Sequence, residues 1–486
     1  MVFSSETFLF LFLPAFLAGY YLTPPKYRNL TLLLESYLFY GWWRVDFLGL
    51  LILNTTWCYV FSQLTFRHMG TFKARLYCGI GVTGCLALLG VFKYLNFFVD
   101  SFAALWGTTA EGLGVHWHLL LPIGISFYVF HSVSYLVDVV RGDAKPTKNI
   151  IDFAAFLALF PQLVAGPILR FKDLAPQFIN RQHSWELFNA GWTRFLIGLA
   201  KKVLIADSVA PLADAMFALS DPTLAESWIG AIAYAMQLYF DFSGYSDMAI
   251  GLAMMIGFRF KENFDMPYIS RSITEFWRRW HISLSVWLRD YLYIPLGGNR
   301  KGVFRTYLNL FLVMLLGGLW HGANWTFILW GVWHGGILVL ERYFGWDKKS
   351  ATVAYSLPLT FAAVVLGWVI FRAPDVATAF NMYSGMFGLN GVFIRPEVEW
   401  QMSREALTFL AVAIGVTVAE PYLRKLSLDK DPSMGAVQVD GSGAAVAGGG
   451  VAISSLLQAL GLSVLAVLTL MKLAEQTYSP FLYFQF

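Results

Sequence analysis

Residues 308–336 read LNLFLVMLLGGLWHGANWTFILWGVWHGG. An apolar run ascends to His321, the chain breaks around Gly322, Ala323 and Asn324, and a second apolar run continues from Trp325. Glycine and asparagine are helix breakers and caps, so this stretch reads as two apolar helices with a titratable ring at their junction. Aliphatic or aromatic packing would be cheaper in such a setting, and what surrounds the ring decides its meaning.

The surroundings are those of a multi-pass membrane protein. Of 486 residues, 57% are hydrophobic and 14% charged, whereas soluble domains carry about 25% charged residues. The mean hydropathy is +0.57. A membrane helix needs about 20 apolar residues. Apolar segments fall near 7–23, 29–43, 47–64, 76–92, 117–140, 150–169 and 187–206, then near 226–258, 306–320, 325–341, 354–371, 404–421 and 452–473. The expected fold is therefore an all-α bundle of 11 to 13 spans, some broken, with re-entrant or interfacial helices. It forms a single domain, 1–486, with a glycine-rich, flexible low-complexity loop at 429–450.

Charge gives orientation and excludes partners. Lys26 and Arg28, then Arg67, Lys73 and Arg75, then Arg141, Lys145 and Lys148 occupy alternate loops. The positive-inside rule puts those loops in the cytoplasm and the N-terminus outside. Arg44 and Lys93 are isolated charges on the other side. A net charge of +4 without a basic run speaks against nucleic acid. Cys58, Cys78 and Cys85 lie in apolar segments without metal-ligand spacing and read as small core residues.

Three stretches hold polar groups that an anchoring helix has no need of, since each ionisable group costs about 2.5–3.5 kcal/mol on insertion scales. In QLYFDFSGYSDMAIG, 237–251, Asp241 and Asp247 bracket Ser243, Gly244 and Ser246. That combination breaks a helix and caps the next, making either a cavity wall or a helix-packing device. In ITEFWRRWHISLSVWLRDYLYIPLGGNR, 273–300, helical spacing aligns Thr274, Arg278, His281, Ser285 and Arg289 in one stripe. It suits a membrane interface or a pocket for an anionic ligand. The third is the opening stretch, where burial favours the neutral imidazole that a general base requires. His131 and Asp138 read as packing polarity, and His68, His116, His118 and His183 as water-facing. There is no GxSxG elbow, HExxH motif or Walker loop.

Together these stretches resemble the membrane-bound O-acyltransferase (MBOAT) family. The likeness runs through MVFSSETFLFLFLP, YGWWRVDF, LPIGISFYVFHSVSYLVDV, LFPQLVAGPILRFKDL, the polar stretches themselves and PFLYFQF. It implies a helical bundle around a central funnel in the bacterial inner membrane. His321 falls on the histidine the family is expected to require, and His281 on a second histidine near the reaction chamber. Arg278, Ser285, Arg289, Tyr239, Asp241, Asp247, Trp320 and Asn324 become candidates for the chamber wall. The implied reaction passes acetyl from acetyl-CoA across the membrane for O-acetylation of an exopolysaccharide, alginate first and cellulose as the alternative. It needs no metal and no bound cofactor, only membrane lipid and periplasmic SGNH-hydrolase-like partners. A transporter for a polysaccharide or lipid carrier, and a non-catalytic scaffold, remain as competing readings.

Overall fold

The computed structural model describes residues 1–349, 353–430, 452–475 and 481–482, and regular structure among them is helical throughout. Most of the loop expected at 429–450 lies outside the described residues. The first half of the chain supplies α1 (Thr7–Leu22), α2 (Arg28–Gly41), α3 (Val45–Arg67), α4 (Phe72–Leu105), α5 (Ile125–Arg141), α6 (Ile150–Ala158), α7 (Phe171–Ile179), α8 (Trp185–Ala200) and α9 (Asp207–Phe217). The second half supplies α10 (Leu224–Met255), α11 (Ile273–Arg279), α12 (Ile282–Leu288), α13 (Val303–His321), α14 (Trp325–Phe344), α15 (Ser356–Arg372), α16 (Val376–Met386), α17 (Arg404–Lys430) and α18 (Ala452–Glu475).

The apolar segments divide into two kinds. Helices α3, α4, α13 and the Arg404–Leu423 part of α17 are long and apolar enough to cross a membrane, and most of their surface faces outward; α1 and α15 are shorter apolar helices. Residues 153–169, by contrast, form only two short helical pieces and are buried throughout. A segment apolar on every side belongs in a protein core, so this one mimics a span in hydropathy while packing at the centre. Helix α1 shows how the outer layer meets that core. Phe8, Phe12, Phe16 and Tyr20 recur every fourth residue, all buried, and the three phenylalanines pack around the ring of Phe160. The same helix exposes Phe10, Leu11 and Leu22.

The expected break in 237–251 does not occur. Helix α10 runs unbroken for 32 residues, about 48 Å at 1.5 Å per residue, from a capping box made by Thr223 and Glu226. Its glycines meet a neighbouring helix, and Ser246 accepts the Asn263 side-chain N–H at 3.0 Å. Helix α8 packs antiparallel to it at two glycine pairs spaced seven residues apart, Gly198 against Gly244 and Gly191 against Gly251. A Cβ on Gly198 would lie 2.6 Å from the Gly244 carbonyl oxygen, and one on Gly191 2.6 Å from that of Gly251. Small residues at such crossings let backbones touch, the main source of helix association where lipid removes the hydrophobic drive.

The two aspartates of α10 are paired with cations from α8 and from the π-helical turn Lys201–Ala206 between α8 and α9. Lys202 sits 2.8 Å from Asp241 and 2.6 Å from Asp207. Lys201 and Arg194 each reach Asp247 at 2.8 Å. Asp241 also accepts the backbone N–H of Leu482 at 3.0 Å, and Phe481 stacks on Tyr245 with ring centres 4.5 Å apart. Tertiary partners thus hold a helix that local composition would interrupt. Gly198→Leu should force the α8–α10 crossing apart and cost about 1–3 kcal/mol, read as a lowered unfolding midpoint in detergent. Gly415→Ala, where nothing lies within 4 Å of an added Cβ, should leave that midpoint unchanged.

Candidate active site

Helix α13 ends at His321, Gly322 continues in an extended conformation, and Asn324 caps α14. The break read from the sequence is present where it was expected. The Asn324 side chain accepts the Thr326 N–H at 3.1 Å and donates to the Pro374 carbonyl at 2.9 Å, so it shapes the turn rather than a chamber wall. His321 is buried, with its ring edge-on to Trp320, Trp330 and Phe371 at centre distances of 5.0, 5.1 and 5.3 Å. The His281 ring lies 6.5 Å from it, centre to centre.

A helix end inside the protein leaves carbonyls without intrahelical partners. Here they find donors on α4, where a π-helical turn spans Gly90–Tyr94. The Tyr94 hydroxyl donates to the Leu319 carbonyl at 2.9 Å. The Lys93 ammonium donates to the carbonyls of Trp320 at 2.5 Å and His321 at 3.0 Å, and to the Ser126 hydroxyl at 3.3 Å. Lys93 is therefore no loop charge, as its isolation in the sequence suggested, but a buried residue within α4, a helix long and apolar enough to cross a membrane. It lines a cavity of ≈ 160 Å³ together with Ser126, Phe127, Trp320 and His321.

His281 departs from the expected stripe. It adopts φ 43° and ψ 55°, a left-handed conformation that costs a non-glycine residue on the order of 1–3 kcal/mol. The residue splits the segment into α11 and α12, so Thr274, Arg278, His281, Ser285 and Arg289 share no single face. Arg278 and Arg289 are exposed, with Arg289 paired to Asp290 at 2.7 Å; Ser285 is half-buried, and Thr274 binds Glu341. The arginines do not join the histidines. What holds the turn is Asn263. Its backbone carbonyl accepts the Ile282 N–H at 2.9 Å, and its side-chain oxygen accepts from the Ser283 N–H, the Ser283 hydroxyl and His281 Nδ1 at 3.2, 2.8 and 3.2 Å. A carbonyl oxygen only accepts, so Nδ1 carries the proton and Nε2 the lone pair.

Asn263 also borders a polar cavity of ≈ 160 Å³ lined by Arg194, Lys201, Tyr239, Asp247 and Glu420. A neighbouring cavity of ≈ 350 Å³ shares Lys201, Tyr239, Phe264 and Glu420 with it. Tyr239 donates to Glu420 at 2.9 Å. Tyr239 and Asp247 thus border the polar cavity, and Trp320 borders the cavity at His321. Asp241 lines none of the three and serves the Lys202 pair instead. His321 borders one cavity, and His281 is bonded to the wall of another.

The sequence reading did not single out Lys93, Ser126 or Asn263 for the site. Of these only Lys93 carried a signal, a lone cation beside an apolar run. His334, in the second Trp–His–Gly of the opening stretch, is fully buried against Trp330, ring centres 4.9 Å apart, one layer behind His321. Gly367 leaves it room, since a Cβ there would fall 2.8 Å from His334 Nε2.

Residues 51–369 match the model of MBOAT, the membrane-bound O-acyltransferase family. Over the full length of both chains, the protein is 53% identical to the "probable alginate O-acetylase AlgI" of Pseudomonas putida and 51% identical to that of Azotobacter vinelandii. It is 36% identical to the "peptidoglycan O-acetyltransferase" of Helicobacter pylori, over 84% of this chain and 83% of that one.

Asn263→Ala would strand three buried donors, the Ser283 N–H, the Ser283 hydroxyl and His281 Nδ1–H, and release the strained turn. We expect a loss of about 1–3 kcal/mol, measured as a lower unfolding midpoint in detergent. Ser246→Ala strands one donor, the Asn263 Nδ2 that meets the hydroxyl at 3.0 Å, and should cost less, about 1 kcal/mol.

Proposed function

The chain belongs to the membrane-bound O-acyltransferase family, and on that premise we propose that it draws acetyl groups from acetyl-CoA for the O-acetylation of alginate. The observation that carries the reading is the buried pair of histidines, rings 6.5 Å apart, flanked by a cavity at His321 and a cavity wall at Asn263. A thioester is already activated, so positioning and proton removal suffice as catalytic devices. In this reading His321 takes the proton of an acceptor hydroxyl as its oxygen attacks the acetyl carbonyl. The carbon–sulfur bond then breaks and the proton passes to the departing thiolate. His281, with Nδ1 tied to Asn263, has Nε2 held in a fixed direction and orients groups beside His321, whose ring lies 6.5 Å away. Tyr239 and Asp247 wall the polar cavity, and Trp320 walls the one at His321.

Alginate as the final acceptor rests on the two relatives named for it, at 53% and 51% identity, against 36% for the one named for peptidoglycan. We assign the protein to the bacterial inner membrane with its N-terminus outside, on the alternation of basic loops. Periplasmic SGNH-hydrolase-like proteins would pass the acetyl group onward. A transporter drew support from a broken polar helix at 237–251, and α10 is continuous. Cellulose has no observation in its favour.

The test uses purified chain in liposomes with radiolabelled acetyl-CoA and alginate oligosaccharides, adding periplasmic partners where transfer needs them. His321→Ala should lower acetyl transfer by about 10²–10⁴-fold at unchanged unfolding temperature. Full transfer by that folded variant overturns the catalytic assignment. His281→Ala should reduce transfer while the protein stays folded.

A further inference from the structure

We infer that Lys93 is a positioning residue for His321, clamping the end of α13 so that the imidazole is held where an acceptor hydroxyl can meet it. This rests on the reading of His321 as the base. The chemistry of the ammonium group argues against a direct role on substrate. Lysine has three N–H donors, and here three oxygens within 3.3 Å engage the group: the carbonyls of Trp320 and His321 and the hydroxyl of Ser126. No donor remains for a thioester carbonyl, although Lys93 lines the same cavity as His321.

The backbone arrangement explains how two adjacent residues reach one helix end. In a regular α-helix neighbouring side chains diverge by about 100°. The π-helical turn at Gly90–Tyr94 is wider, and such turns recur at functional sites. Lys93 and Tyr94 thereby both face α13, and together they bind three successive carbonyls, those of Leu319, Trp320 and His321. A cation at this position also meets the negative end of the α13 dipole. Asn324 fixes the other side of the break. His321 thus hangs from a helix end tied down on both sides. Without the clamp the last turn loses its donors in an apolar interior, and a displacement of the order of 1 Å is enough to cost about 10²-fold in rate.

The experiment is steady-state acetyl transfer by the full chain in liposomes, with acetyl-CoA varied and alginate oligosaccharides as acceptor. It compares wild type with Lys93→Met, Lys93→Arg, Tyr94→Phe and His321→Ala. Lys93→Met should lower kcat by about 10²-fold while KM for acetyl-CoA stays within about twofold, and Lys93→Arg should recover most of kcat. Wild-type kcat in Lys93→Met beside an inactive His321→Ala overturns the clamp and leaves the base assignment standing. A raised KM with kcat preserved also overturns it, by making Lys93 a substrate contact. Activity in folded His321→Ala removes the base assignment and the clamp with it. If Lys93→Met does not accumulate in the membrane, Tyr94→Phe decides: several-fold lower kcat at constant KM supports the clamp, and unchanged kcat overturns it.

Discussion

A helix that stops inside an apolar interior must find donors for its last carbonyls, because neither lipid nor the packed core offers them. In this protein that constraint falls on α13, and its solution shapes the centre of the molecule. Lys93 and Tyr94 have to come from a second spanning helix, so α4 needs its wide turn, and α4 must pack close to the break. Asn324 closes the other side and starts α14. The ring of His321 is then walled by the aromatic residues that line α13, α14 and α15. Local backbone chemistry and the geometry of the cavity at His321 are one problem here.

The same economy governs the buried charges of α10. An isolated charge in low dielectric is strongly unfavourable, and breaking a buried pair typically destabilises by about 3–5 kcal/mol. Asp241 and Asp247 meet cations delivered by a second π-helical turn, Lys201–Ala206. In both places the wide turn puts charge where a regular helix would aim it elsewhere. Asp247 carries this pairing onto the wall of the polar cavity, whereas Asp241 turns it inward, toward the fold.

Much of this was legible in the sequence. Composition and apolar periodicity declare a helical membrane protein, and Gly322 and Asn324 announce the break beside His321. Serine, glycine and aspartate in 237–251 signal a second break that tertiary pairing overrides. Local propensity had no view of Lys201, Lys202 or the glycines of α8. The stripe from Thr274 to Arg289 failed because nothing in WRRWHIS marks a left-handed residue; Asn263, outside the segment, imposes it. Lys93 looked like a loop charge for a related reason, since a π-helical turn has no sequence signature of its own.

The contact between Asp241 and Leu482 has a consequence for how the chain is made. The two residues are 241 positions apart, and at about 5–20 residues per second a ribosome needs roughly 12–50 s to travel from one to the other. For that interval one carboxylate oxygen of Asp241 and the faces of Phe242 and Tyr245 lack their eventual partners. Covering this face of α10 therefore waits for a segment synthesised long after the helix itself.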